Sequence, residues 1–153
     1  FFYMHPQNRF WRVLPAVFAE TLTLPNNAPD RAAAISERRD FLLRHQIALW
    51  DVLAACDING ASDSSITNAV PNEFMPLLEN SKIRRVFCTG KTAFALWQKF
   101  CAAKYEARYG ITSECLPSTS PANAAWSEGR LVEVYRKMIL TVVSNSQNSK
   151  IEI

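Results

Sequence analysis

The chain has 153 residues, which fits one domain with room for a real core. Its composition, 48% hydrophobic and 20% charged, is that of an ordinary soluble globular protein. A net charge of +3 admits a polyanionic partner without arguing for one, and no apolar run approaches the roughly 18–20 residues that cross a bilayer.

No signal-peptide pattern stands in the chain, so a cytoplasmic, nucleoid-associated setting is the expectation. Cys56, Cys88, Cys101 and Cys115 show no C-x-x-C spacing and read as reduced thiols. His5 and His45 are the only histidines, which weakens a zinc site further. Neither a metal nor a cofactor is expected. The first residue is Phe1, not Met, and the sequence reads as a fragment or a processed chain.

The opening stretch, FFYMHPQNRFW, sets Phe1, Phe2 and Tyr3 before a His-Pro turn, and Phe10 and Trp11 after Asn8. Pro6 biases His5 away from helix, and Asn8 is a good N-cap for a helix starting just after it. Phe10, Leu14, Phe18 and Leu22 recur every four residues, which predicts an amphipathic helix that Pro15 should kink or restart. Residues 24–29, with two prolines and two asparagines, are a loop. Residues 31–45 predict a charged helix with Ile35, Phe41 and Leu42 as its apolar positions.

Residues 47–55, IALWDVLAA, are apolar but for Asp51, as in a strand buried on both faces. A polar loop, DINGASDSSIT, follows over 57–67. Asn72 should cap a short helix through Leu78, and 83–89 is a second strand. Gly90 and Lys91 then open a long helix with Phe94, Trp97, Cys101 and Tyr105 near one face and Gly110 as its stop. Residues 112–116 predict a third strand, and 127–143 a last helix with Leu131, Tyr135, Met138, Ile139 and Val142 on one stripe. Residues 1–143 thus read as one domain and 144–153 as a polar, frayed tail. Strands alternating with helices predict an α/β fold, a three-layer α/β/α sandwich on a short parallel sheet. Ligands then belong at the carboxyl ends of the strands.

Two loops fall there. Gly90-Lys91-Thr92 suggests a phosphate loop, but that pattern needs a glycine five residues earlier, where Arg85 stands. Nucleoside triphosphate binding is rejected, while Lys91 at a helix start could hold one DNA phosphate. The second loop, LPSTSPANA over 116–124, sets Ser118, Thr119 and Ser120 between two prolines. Small hydroxyls and free backbone N–H groups on a stiff loop suit a phosphodiester backbone.

FYMHPQNRFW resembles the HPxNRFW segment of the mismatch-specific branch of the uracil-DNA glycosylase superfamily. LPSTSPANA is similar to the second signature of that superfamily's hypoxanthine-DNA glycosylase branch, as is IALWDVLAACDINGASDSSI. The three stretches come in the right order and span nearly all of the chain. The resemblance implies a monomeric α/β/α enzyme that flips a deaminated base, hypoxanthine or uracil, out of DNA and hydrolyses its glycosidic bond.

Residue by residue, Tyr3 matches the stacking aromatic, with His5 beside it at the base pocket. Asn8 matches the asparagine that is the candidate for positioning water. Asp51 falls near the position of a base-reading amide. Ser118, Thr119 and Ser120 should bind the phosphates around the flipped nucleotide, with Asn123 closing the loop. Leu116 stands where the superfamily often carries a histidine, so that role is absent or moved. The four cysteines lack the clustering of the iron–sulfur branches. The family's first, central strand lies ahead of the stacking aromatic, which predicts roughly 20–30 further residues upstream of Phe1. A DNA-binding module that has lost its chemistry is the alternative.

Overall fold

The computed structural model describes residues 1–60, 65–140 and 150–152. In order, the elements are helices α1 (Phe10–Val17) and α2 (Arg31–His45), strands β1 (Leu53–Asp57) and β2 (Thr67–Pro71), and α3 (Met75–Glu79). Then come β3 (Ile83–Thr89), α4 (Lys91–Trp97), a π-helical turn (Gln98–Ala102), α5 (Ala103–Tyr109), β4 (Thr112–Leu116), α6 (Glu128–Leu140) and β5 (Lys150–Glu152).

The fold is mixed α/β around a small parallel sheet of order β4-β3-β5, with a separate antiparallel pair, β1-β2. In the parallel register Arg85 faces Thr112 and Thr89 faces Leu116, so β3 and β4 end side by side. Side chains alternate across a strand, and β3 accordingly sends Phe87 into one core and Cys88 into another. The first core joins α1, α2 and α6 through Phe10, Leu14, Phe41, Leu131, Tyr135 and Ile139. The second is built from Phe74, Leu78, Trp97, Cys101, Tyr105 and Ile111. Cys101 and Tyr105 follow Trp97 at successive intervals of four, which keeps them on one face through the π-helical turn.

Helix α1 buries Phe10, Val13, Leu14 and Val17, the spacing of one helical face. The helix runs through Pro15 without restarting and ends two residues later. Ala19 then takes φ 58°, and Phe18 leaves the helix to stack on His45 at 3.9 Å. Helix α2 spans the expected residues, capped by Asp30, whose Oδ1 accepts from the Ala33 N–H at 2.9 Å. Its buried face is Ala34, Arg38, Phe41 and Leu42, with Ile35 half-buried.

Two further expectations are corrected. Residues 47–52 are not a strand; only Ile47 and Leu49 are buried there, and Trp50 is 56% exposed. A strand needs neighbours for its N–H and C=O rows, and among the described residues none pairs with 47–52. The pairing starts later, at Leu53, and runs antiparallel to β2 with most of β1 exposed. Asn72 does not cap α3: its Nδ2 donates to the Asp51 carbonyl at 2.7 Å, and the helix starts at Met75. The continuation of α6 to 143, Val142 included, and residues 144–149 of the tail lie outside the described residues, while 150–152 form β5 along β3.

Candidate nucleic-acid site

The two signature stretches meet. Asn8 sits in the turn before α1, and its Oδ1 accepts from the Phe10 N–H at 2.9 Å. The same oxygen accepts from the Thr119 hydroxyl at 2.9 Å, across 111 residues of sequence. Thr119 is 1% exposed, so its hydroxyl points into the protein and not toward a phosphate. The reading of Thr119 as a direct DNA contact is therefore corrected: burial gives that hydroxyl to Asn8.

Arg9 completes the junction. Its guanidinium donates to the carbonyls of Thr119 at 3.3 Å, Ser120 at 2.7 Å and Asn123 at 3.1 Å, and also to that of Trp126. The backbone N–H of Arg9 donates to the Thr119 carbonyl as well, at 3.2 Å. A planar fork of five donors suits such a crowd of carbonyls. Within the loop, Ser118 Oγ accepts from the Ser120 N–H at 3.2 Å, and Asn123 Nδ2 donates to the Ser118 carbonyl at 2.9 Å. Tyr135, from α6, donates its hydroxyl to the Pro117 carbonyl at 2.7 Å. Asn123 closes the loop as expected, with Ser118 and Ser120 half-buried at its surface.

The carboxyl ends of β3 and β4 are tied by the Gly90 N–H, which donates to the Leu116 carbonyl at 2.8 Å. Gly90 holds φ 106°, and a Cβ there would lie 3.3 Å from Ser118 Cβ. Only glycine allows this approach without strain. Lys91, the first residue of α4, is exposed beside it. Arg85, where a phosphate loop needs glycine, is 6% exposed, ion-paired with Glu114 and 4.4 Å from the Phe87 ring centroid.

The opening stretch is clamped from behind. Asn26 Nδ2 lies within hydrogen-bond distance of the carbonyls of Tyr3 (3.2 Å), His5 (2.9 Å) and Asn8 (3.2 Å). Asn26 Oδ1 accepts in turn from Arg38 at 2.9 Å. Arg38, 1% exposed, also donates to the carbonyls of Ala34 and Leu24, and lies 5.5 Å from the Trp11 ring centroid. Neither Asn26 nor Arg38 carries a sequence signal for this role.

Tyr3 has φ 55°, stacks on Phe10 at 4.1 Å and shares a short hydrogen bond with Thr89. Burial pushes its phenol above the ordinary value. Its ring lines a largely apolar cavity against β3 and α4, with Asp51, Trp50 and Thr89 also on the wall. The Asp51 carboxyl is pushed above its usual range by desolvation at this cavity. An adjoining open cleft joins Asp51, Thr89, Gly90, Lys91 and Ser118. Tyr3, Asp51, Lys91 and Ser118 are thus brought around two neighbouring hollows. His5 lines neither; it is exposed, its Nδ1 accepting from the Gln7 N–H at 3.3 Å.

All four cysteines are free thiols, and burial raises Cys88 to about 12 and Cys101 to about 11. Among the described residues, no helix is long and apolar enough to cross a membrane.

No family model matches the chain, and no solved structure matches it significantly. Two curated proteins do. One, named Hypoxanthine DNA glycosylase, from Methanosarcina acetivorans, is 29% identical over 133 residues, 84% of this chain and 73% of that protein. The other, of the same name and from Methanosarcina barkeri, is 29% identical over 113 residues, 73% of this chain and 66% of that protein. Both relatives carry the same name and match most of this chain's length, which supports its assignment to a hypoxanthine-DNA glycosylase family.

Proposed function

We propose that this chain is a DNA glycosylase that flips a deaminated base out of DNA and hydrolyses its N-glycosidic bond, hypoxanthine first and uracil second. The observation that carries the reading is the bond between the two signatures, Thr119 Oγ1 to Asn8 Oδ1 at 2.9 Å. It makes one site of two distant stretches, at the end of the sheet where ligands of α/β folds bind. The names of the two relatives support a DNA glycosylase substrate class for that site.

In this reading an extruded base enters beside Tyr3, whose outer face offers stacking and whose inner face is braced by Phe10. Asp51 borders the base, while His5, exposed and off both hollows, is left out of the pocket. Its glycosidic bond breaks toward an oxocarbenium-like state, which requires an aligned nucleophile more than a strong base. Asn8, an amide, suits alignment. Ser118, Ser120 and Asn123 hold the phosphates on either side, with Lys91 supplying a positive charge at the start of α4. The enzyme acts as a monomer in the cytoplasm, on DNA, without a metal or cofactor.

The test is a set of oligonucleotides carrying hypoxanthine, uracil, xanthine or a thymine mismatch, assayed for free base and for strand cleavage. Release of hypoxanthine without cleavage is expected, with slower release of uracil. DNA binding with no base released from any of them would favour a binding module without chemistry and overturn the proposal.

A further inference from the structure

Resting on that reading, the hydrogen bonds around Asn8 fix which way its amide faces. The backbone N–H donates to the His5 carbonyl at 2.9 Å, and its carbonyl accepts from Asn26. Oδ1 accepts from both the Phe10 N–H and the Thr119 hydroxyl. An amide oxygen has two lone pairs, so Oδ1 is full. A flipped amide would turn its NH2 toward the Phe10 N–H, donor against donor, and leave that N–H without an acceptor. Among the described residues, Nδ2 is the one polar atom of Asn8 with no hydrogen-bond partner. Asn8 is half-buried, so Nδ2 is not sealed off.

We propose that Asn8 meets its ligand as a hydrogen-bond donor, through Nδ2, and that the buried Thr119 is the positioning residue that holds it so. The group it meets carries a lone pair: a ring nitrogen or carbonyl oxygen of the departing base, or the oxygen of the attacking water. Asn8 then takes no proton from water. Toward the base, Nδ2 steadies a lone pair where negative charge builds up as the glycosidic bond breaks; toward water, it only orients the oxygen.

Asn8→Asp separates this from the opposite polarity. The new carboxylate keeps both bonds at one oxygen but puts an acceptor where the donor was. Single-turnover release of hypoxanthine should fall on the order of 100-fold, as far as in Asn8→Ala. Release by Asn8→Asp should partly recover as pH falls and the carboxyl gains a proton to donate, while Asn8→Ala gains nothing. An Asn8→Asp protein within threefold of wild type at neutral pH would overturn the proposal.

For the lock, Thr119→Val removes the hydroxyl at nearly constant shape, and Thr119→Ser keeps it. Release should drop on the order of tenfold in the valine protein, one hydrogen bond's worth, with DNA affinity unchanged. The serine protein should recover. Equal loss in both would show that shape, not the hydroxyl, matters.

Nuclear magnetic resonance of the free protein keeps this apart from the glycosylase reading. The Asn8 Nδ2 order parameter should be near that of rigid backbone, about 0.85, and fall below about 0.6 in Thr119→Val. No change would refute the lock. If wild type releases no base yet the order parameter behaves so, the glycosylase reading fails and the lock stands. Free hypoxanthine that shifts the Asn8 NH2 signals identifies the base as the acceptor; inactive Asn8→Asp without such a shift identifies water.

Discussion

Asp51 carries a pH signature at the candidate site. Desolvation raises its carboxyl, so the folded pKa lies above the unfolded value of about 3.9. The protonated form favours the fold, and that stability is full below the unfolded pKa and lost as pH climbs through the folded one. Asp51→Asn should therefore raise the melting temperature at pH 7 and leave it unchanged near pH 3; an equal effect at both would contradict the shift. Asn26 carries a second expectation. Its amide serves the carbonyls of Tyr3, His5 and Asn8, and Asn26→Ala should destabilise the fold by about 1–3 kcal/mol in a urea titration, chiefly by leaving polar groups unsatisfied. Exchange of amide hydrogens should accelerate across residues 3–8. At this scale the sequence reveals residue types better than directions. Asn8 stood out within HPxN, but a hydroxyl flanked by Ser118 and Ser120 does not disclose that it alone points inward. Asn26 and Arg38 left no trace because Asn26 holds backbone carbonyls 18–23 residues away, a pattern no local spacing encodes.

Helices were legible where capping and periodicity agreed. Asp30, the buried face of α2 and its basic last turn point to the same helix, and Gly110 ends α5 in the left-handed conformation at φ 62°. The apolar run over 47–55 misled because burial on both faces depends on pairing partners, which lie elsewhere in the chain. Gly90 was legible as a helix start but not as the joint between two strand ends. Gly90→Ala should combine a strained φ with a tight contact at Ser118 Cβ, and cost at least about 1–3 kcal/mol. A melt of that variant within 0.5 kcal/mol of wild type, on the order of a neutral surface change, would deny the joint its structural role.

Across the whole molecule, alternating strands and helices gave the α/β class and put the ligand end at the tips of β3 and β4. Composition gave less: a net charge of +3 does not locate a DNA surface, which the Lys91 and Ser118 cleft suggests only after folding. Replacing Ser118 and Ser120 together with alanine should weaken DNA binding without changing which base is preferred. Affinity should fall with salt in both proteins, since each neutralised phosphate releases counterions. A double variant that binds normally but prefers another base would move these serines to the base pocket. The central claim is that the junction of Asn8 with the 116–124 loop is a glycosylase centre. It is tested most directly by single-turnover release of hypoxanthine from a deoxyinosine duplex, comparing wild type with Asn8→Ala, with DNA affinity measured on the same preparations. The account predicts release by wild type and a loss on the order of 100-fold or more in the variant at unchanged affinity. Equal release by the two folded proteins, or none by either, would contradict it.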